Sequence, residues 1–176
     1  MVLWFIGLSG SGKTTVSRLL YDRLKPSIPN LVHLDGDVLR DVFANDVDHS
    51  LEGRRRNAHR LSHLSRMLSA QNIHVIAAVL SIFPEWQIWN RENIADYSEV
   101  YLRVPIDVLK RRDQKNLYAP AFEGKIKNVV GVDIPFPEPK RADLVLDNSR
   151  DTQDFEAFVK QASALPAVQK ALKVRA

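Results

Sequence analysis

The chain has no cysteine, only two methionines, and no apolar run that approaches the length needed to cross a bilayer. The first absence excludes disulfides and cysteine-held metals, and makes a reducing cytoplasm the expected compartment. The longest apolar stretches, residues 2–8 and 75–80, are too short to span a membrane, so no membrane partner is expected. Residues 1–8 lack the basic start and small-residue cleavage site of a secretory signal. Internal repeats and biased segments are missing too, which argues against repeat arrays, linkers and disordered arms.

What is present suits one domain over residues 1–176, with 45% hydrophobic residues for an ordinary core. The net charge is +4. Such an excess fits either nucleic-acid binding or a pocket for small anions. Neither an aromatic platform nor a basic helical stripe accompanies it, so the pocket is favoured and no nucleic-acid partner is expected.

Five short segments read as strands: 2–6, 31–34, 74–80, 99–104 and 142–146. Most are apolar without strict alternation, as in strands covered on both faces. Helical patterns separate them at 12–24, with Val16, Leu19, Leu20 and Leu24 as its apolar positions, then at 54–69, 106–113 and 153–164. A tail from 165 onward reads either as a short basic helix or as frayed. Strands alternating with helices imply an α/β fold with a parallel sheet and ligands at the carboxyl ends of its strands.

Two motifs follow such strand ends. Gly7-Leu8-Ser9-Gly10-Ser11-Gly12-Lys13-Thr14 fits the G-x-x-x-x-G-K-[ST] pattern, between a predicted strand and a predicted helix. In this loop Gly7, Ser9, Gly10, Ser11, Gly12 and Thr15 surround a triphosphate, aided by the helix dipole. Lys13 reaches the β- and γ-phosphates, and the Thr14 hydroxyl meets Mg²⁺. A glycine-rich turn that merely caps a helix would not require Lys13 and Thr14 at these offsets. The expected architecture is therefore a three-layer P-loop nucleoside triphosphate hydrolase-type sandwich around a five-stranded parallel sheet, with ATP and Mg²⁺ as cofactors.

The second motif, Leu34-Asp35-Gly36-Asp37, leads into Val38-Leu39-Arg40. Of the two carboxylates, Asp35 and Asp37, one suits holding Mg²⁺ through water and the other suits orienting or deprotonating an attacking hydroxyl. The plainer alternative is that Asp37 only N-caps a short helix. In the next helix Arg54, Asn57, Leu61, Leu64 and Leu68 share one face by their spacing of three and four. With the leucines on the sheet, Arg54 and Asn57 project from the first turn on the same side. Arg40 and Arg54 then suit an anionic acceptor, while Arg55, Arg56 and Arg60 read as a solvated face.

These residues resemble the adenylylsulfate (APS) kinase family over nearly the whole chain. The resemblance is carried by "GLSGSGKTT", "LDGDVLR", "GRRRN" and "RRDQKNLYAPAFEGKIKNVVGVDIPFPEP", in that order. It implies ATP-dependent phosphorylation of the 3′-hydroxyl of a small nucleotide acceptor, and it favours a homodimer. On matching positions Asp37 is the base, and Arg40, Arg54, Asn57 and Ser81 bind the acceptor. Arg112 lies near the ATP base and phosphates, or is simply a cation favoured at a helix C-terminus. Lys115 belongs to a lid around 115–130.

Departures from the family pattern concentrate on the acceptor base. Two phenylalanines hold adenine in the family, and the matching positions here are His49 and Val129. An aromatic–base stack contributes roughly 1–3 kcal/mol, so losing two disfavours a purine. His49 either contacts the base or is an ordinary loop histidine. The stretch Leu80-Ser81-Ile82-Phe83-Pro84-Glu85-Trp86 and lid residues Asn116, Pro120 and Phe122 differ as well. A branch of short bacterial capsule-locus kinases acting on cytidine diphosphoramidate resembles the chain more closely. The alternatives are a true adenylylsulfate kinase with an unusual base pocket and, in another class, a non-catalytic nucleotide-binding module.

Overall fold

The computed structural model describes residues 1–113, 116–150 and 154–173. Five strands, β1 (Val2–Ile6), β2 (Leu31–Asp35), β3 (His74–Val79), β4 (Tyr97–Arg103) and β5 (Leu144–Asp147), form one sheet in the order β2-β3-β1-β4-β5. Every pairing is parallel, as the continuous apolar strands require. The helices are α1 (Lys13–Leu24), α2 (Gly36–Val42), α3 (Leu51–Ala70), α4 (Pro84–Asn93), α5 (Ile106–Arg112), α6 (Tyr118–Phe122), α7 (Phe155–Ser163) and α8 (Pro166–Lys173).

The alternation hidden in β1 now becomes visible. Leu3 and Phe5 pack with Val16, Leu20 and Leu24 of α1, and with Val159 of α7 and Val168 of α8. Val2, Trp4 and Ile6 pack on the opposite face with Leu39 of α2 and Leu61 of α3. Leu64 and Leu68 flank that second cluster, so the leucine stripe of α3 does face the sheet. Leu19, expected among the apolar positions of α1, is instead exposed on its outer side. A third cluster around Leu8, Leu109, Tyr118 and Val129 lies under the loops at the carboxyl ends of the strands.

Several boundaries differ from expectation. α3 begins at Leu51, because Ser50 caps it by accepting the Gly53 N–H at 3.1 Å. β2 runs on to Asp35, and β4 starts at Tyr97. The tail is a helix, α8, that buries Ala167, Val168 and Ala171. α4 escapes apolar periodicity altogether: its buried residues are the polar Gln87 and Asn90.

Candidate active site

The loop after β1, the Asp35-Gly36-Asp37 turn after β2 and the Ser81 turn after β3 meet over the same end of the sheet. Asp35 and Ala78 are register partners, as are Ile6 and Val79. Between these segments and residues 126–130 lies a cavity of about 330 Å³. Lys13, Thr14, Asp35, Asp37, Arg40, His49, Arg54, Asn57, Ser81 and Val129 all line it.

The glycine-rich loop is built for close approach. Gly12 has a φ of 94°, a conformation that side chains resist, and a Cβ there would meet Asn148 Nδ2 at 3.0 Å. Asn148 Nδ2 donates to the Ser11 carbonyl at 2.9 Å, tying the end of β5 to the loop. Tyr118 Oη donates to the Ser9 carbonyl at 2.8 Å and ties α6 to it as well. Lys13 Nζ donates to the Leu8 carbonyl at 3.1 Å, which lays the side chain along the loop. Thr14 and Thr15 are exposed at the start of α1, and Ser11 is buried.

Thr14 Oγ1 donates to Asp35 Oδ2 at 3.0 Å. A hydroxyl and a carboxylate at this distance make the all-oxygen pair that Mg²⁺ accepts. Among the described residues no cluster of three or more His, Asp or Glu could hold a metal. Asp35, not Asp37, is the N-cap of α2: its Oδ1 accepts the Asp37 N–H at 2.8 Å. The capping explanation for Asp37 therefore fails, and its carboxylate reaches the cavity from the first turn of α2.

Arg40 is only 7% exposed, and both hydrogens of its Nη1 are committed to the Val47 and Asp48 carbonyls, at 2.9 and 3.0 Å. Its Nε–Nη2 edge remains for a ligand. Arg54 is braced through Nε to the His49 carbonyl and through Nη2 to the Asn128 carbonyl, each at 2.8 Å. Burial, followed by the charge of Arg40, lowers the Arg54 pKa against the pull of Asp37 and Asp133. Burial, then Arg40 and Arg54, likewise lower the pKa of His49. Two guanidiniums that oppose each other's charge in a half-buried pocket are relieved by an anion. Asn57, also 7% exposed, turns Nδ2 toward the Gly36 carbonyl at 3.5 Å, and its Oδ1 has no protein partner.

Ser81 adopts a φ of 53° and accepts from Trp4 Nε1 at 3.2 Å and from Gln87 Nε2 at 3.3 Å. Of the arginines expected on a solvated face, Arg60 pairs bidentately with Asp46 at 2.6 Å. Arg55 instead pairs with Glu85 and lies 4.5 Å over the ring of Phe83, a cavity residue. Arg112 does not line the cavity; its guanidinium donates to the Asn148 and Arg150 carbonyls, beside the phosphate loop. Lys115 falls outside the described residues.

Sequence reading missed Trp4, Phe83, Trp86 and Asn128 as cavity residues, and Tyr118 and Asn148 as braces of the loop. Only the altered stretch around Phe83 carried any signal for them.

Comparison with known proteins gives the family. A family model described as adenylylsulphate kinase matches residues 1–147. The chain belongs to that family. This kinase is 40% identical over 148 residues to cytidine diphosphoramidate kinase of Campylobacter jejuni subsp. jejuni serotype O:2, covering 84% of this chain and 86% of the relative. It is 34% identical over 157 residues to the adenylyl-sulfate kinase of Halothermothrix orenii, covering 89% and 85%. Its fold superposes with a TM-score of 0.80 on the Mycobacterium tuberculosis APS kinase CysC in complex with AMPPNP and APS. That match has 34% identity and covers 92% of this chain and 94% of the other. Like its relatives, this kinase is a phosphotransferase with a hydroxyl acceptor, and its fold is that of the P-loop kinases. Among the described residues no helix is long and apolar enough to cross a membrane.

Proposed function

We propose that the protein transfers the γ-phosphoryl group of ATP to the ribose 3′-hydroxyl of cytidine diphosphoramidate. The observation that carries this reading is the composition of the cavity at the carboxyl ends of the strands. It joins Lys13 and Thr14 of the phosphate loop to Asp37, two backbone-braced arginines, His49 and Val129, and the family resemblance matches the last two to the phenylalanines that hold adenine. The 40% identity to a cytidine diphosphoramidate kinase supports the same base. Asn57 adds a chemical reason, since its partnerless Oδ1 needs a donor. A phosphoramidate amino group supplies one, whereas a sulfate offers only acceptors.

In this reading Asp37 accepts the proton of the attacking 3′-hydroxyl while the new P–O bond forms and the β,γ-bridging bond breaks, releasing ADP. Lys13 swings from the Leu8 carbonyl to the phosphates and offsets charge on the moving group. Arg40 and Arg54 hold the 5′-diphosphate tail, and Ser81, His49 and Val129 border the base. The chemistry supplied by Mg²⁺, held by Thr14 and Asp35, is neutralisation of phosphate charge. The lid expected around 115–130 divides in two. Tyr118 ties α6 to the phosphate loop, so closure belongs to the segment beyond Gly124, which Arg54 latches through Asn128. The homodimer favoured by the family resemblance remains part of this proposal, and sedimentation equilibrium tests it.

Incubation with ATP and cytidine diphosphoramidate tests the reaction. One added phosphate, removable by a 3′-nucleotidase, is the expected product; ADP release without that product overturns the assignment. The second reading, adenylylsulfate as acceptor, is favoured by the similarity to adenylyl-sulfate kinases. It requires adenine to bind beside Val129 without either phenylalanine.

A further inference from the structure

α1 and β2 are joined by more than the bond between Thr14 and Asp35. Thr14 and Ser17 lie three residues apart on one face of α1, and His33 and Asp35 lie two apart on one face of β2. Two rungs therefore connect the same pair of elements. One is Thr14 Oγ1 to Asp35 Oδ2 at 3.0 Å; the other is Ser17 Oγ to His33 Nε2 at 2.9 Å. Tyr21, a turn further along α1, closes this face with its ring edge-on to His33, centroids 5.9 Å apart.

The direction of the second rung depends on where the Ser17 hydrogen lies. Ser17 Oγ carries one, and the Thr14 carbonyl at 3.1 Å is a group that can only accept. With that hydrogen on the Thr14 carbonyl, Ser17 accepts from His33 Nε2–H; in the other tautomer of His33 the hydroxyl donates to Nε2 instead, and the rung stands in either case. Ser17 is fully buried, so water does not replace the imidazole. With His33 donating, the chain runs from His33 Nε2–H to Ser17 Oγ–H to the Thr14 carbonyl. It ends on the backbone of the residue whose hydroxyl meets Asp35.

We propose that His33 and Ser17 form a strut that sets the separation of Thr14 and Asp35, and thereby the fit of Mg²⁺ between the nucleotide and the protein. Neither residue lines the cavity, so both are positioning residues. The G-x-x-x-x-G-K-[ST] pattern asks for neither of them. The inference rests on the reading of Thr14 and Asp35 as the pair that holds Mg²⁺.

The test is ADP binding by calorimetry, with and without Mg²⁺, on the full chain. Ser17→Ala and His33→Leu are each expected to reduce the Mg²⁺-dependent gain in ADP affinity by about 3–10-fold, the loss of one modest hydrogen bond. Metal-free ADP affinity should stay within about two-fold. The double variant should lose no more than the larger single one, because the two residues act as a unit. His33→Gln, which keeps a donor at similar reach, should recover most of the gain. An unchanged gain in both single variants overturns the strut, as does an equal fall in metal-free affinity. Asp35→Asn checks the underlying reading separately: if it preserves the gain, the metal pair is wrong and the strut falls with it.

Discussion

Asp37 stands one residue inside α2, where Asp35 has already taken the capping role. It lines the same cavity as Lys13, Arg40 and Arg54, and the proposed function gives it the proton of the attacking hydroxyl. Asp37→Asn is expected to keep ATP affinity while lowering turnover by about 10²–10⁴-fold, measured by calorimetry and ADP release. An unchanged turnover would remove Asp37 from the mechanism. Asn57→Ala should lower kcat/KM for cytidine diphosphoramidate by about tenfold, the order of one buried hydrogen bond. Its effect on adenylylsulfate should be smaller, because a sulfate has no donor for Oδ1. Steady-state kinetics with both acceptors reads the difference. The residues named from the sequence were those of local motifs, in which spacing alone brings Lys13 to Thr14 or Asp35 to Asp37. Trp4, Tyr118 and Asn148 were not legible, because their partners Ser81, Ser9 and Ser11 lie 77, 109 and 137 residues away.

The acceptor side depends on how the segment between α2 and α3 beds against the first turn of α3. At Gly53 a Cβ would come within 2.4 Å of the Asp48 carbonyl, the same oxygen that Arg40 Nη1 meets. Gly53→Ala is thus expected to push this segment outward, displacing both Arg40 and the His49 carbonyl that braces Arg54. The cost is about 1–3 kcal/mol of stability, as for other overpacked sites. KM for the acceptor should rise while KM for ATP holds. Thermal melting and kinetics check the pair of outcomes, and an equal rise in both KM values would count against it. Periodicity found α3, α5 and α7 because each presents an apolar face. It passed over α4, whose inward side carries Gln87 and Asn90, paired with Ser81 and Tyr97 respectively rather than placed by hydrophobic burial alone. Capping was weighed only for Asp37, whereas Asp35 is the cap; both stand at the start of the same short helix and only geometry separates them.

Across the whole molecule, burial lowers the pKa of His33, His49, His63 and His74 below the ordinary value of 6.5. Below 6.5 the unfolded chain binds protons that the folded chain resists. The stability these groups contribute is therefore present above 6.5 and lost as pH falls through their depressed folded values. Glu99, whose pKa burial raises from 4.5, works the other way but is a single group. The melting temperature should fall steadily from about pH 7 toward about pH 5.5. A rise over that interval would contradict the histidine account. Parallel strands and their alternation with helices were readable from composition and periodicity. The order β2-β3-β1-β4-β5 was not, because it is set by which crossover packs on which face. That order puts the phosphate loop beside the Asp35 and Ser81 turns, so that all three border one cavity. The claim that this cavity is built for a pyrimidine diphosphoramidate is tested most directly by kcat/KM for cytidine diphosphoramidate and adenylylsulfate, measured side by side. The account predicts a preference of at least about tenfold for the cytidine acceptor, the order of one lost aromatic–base stack. A preference for adenylylsulfate would contradict it.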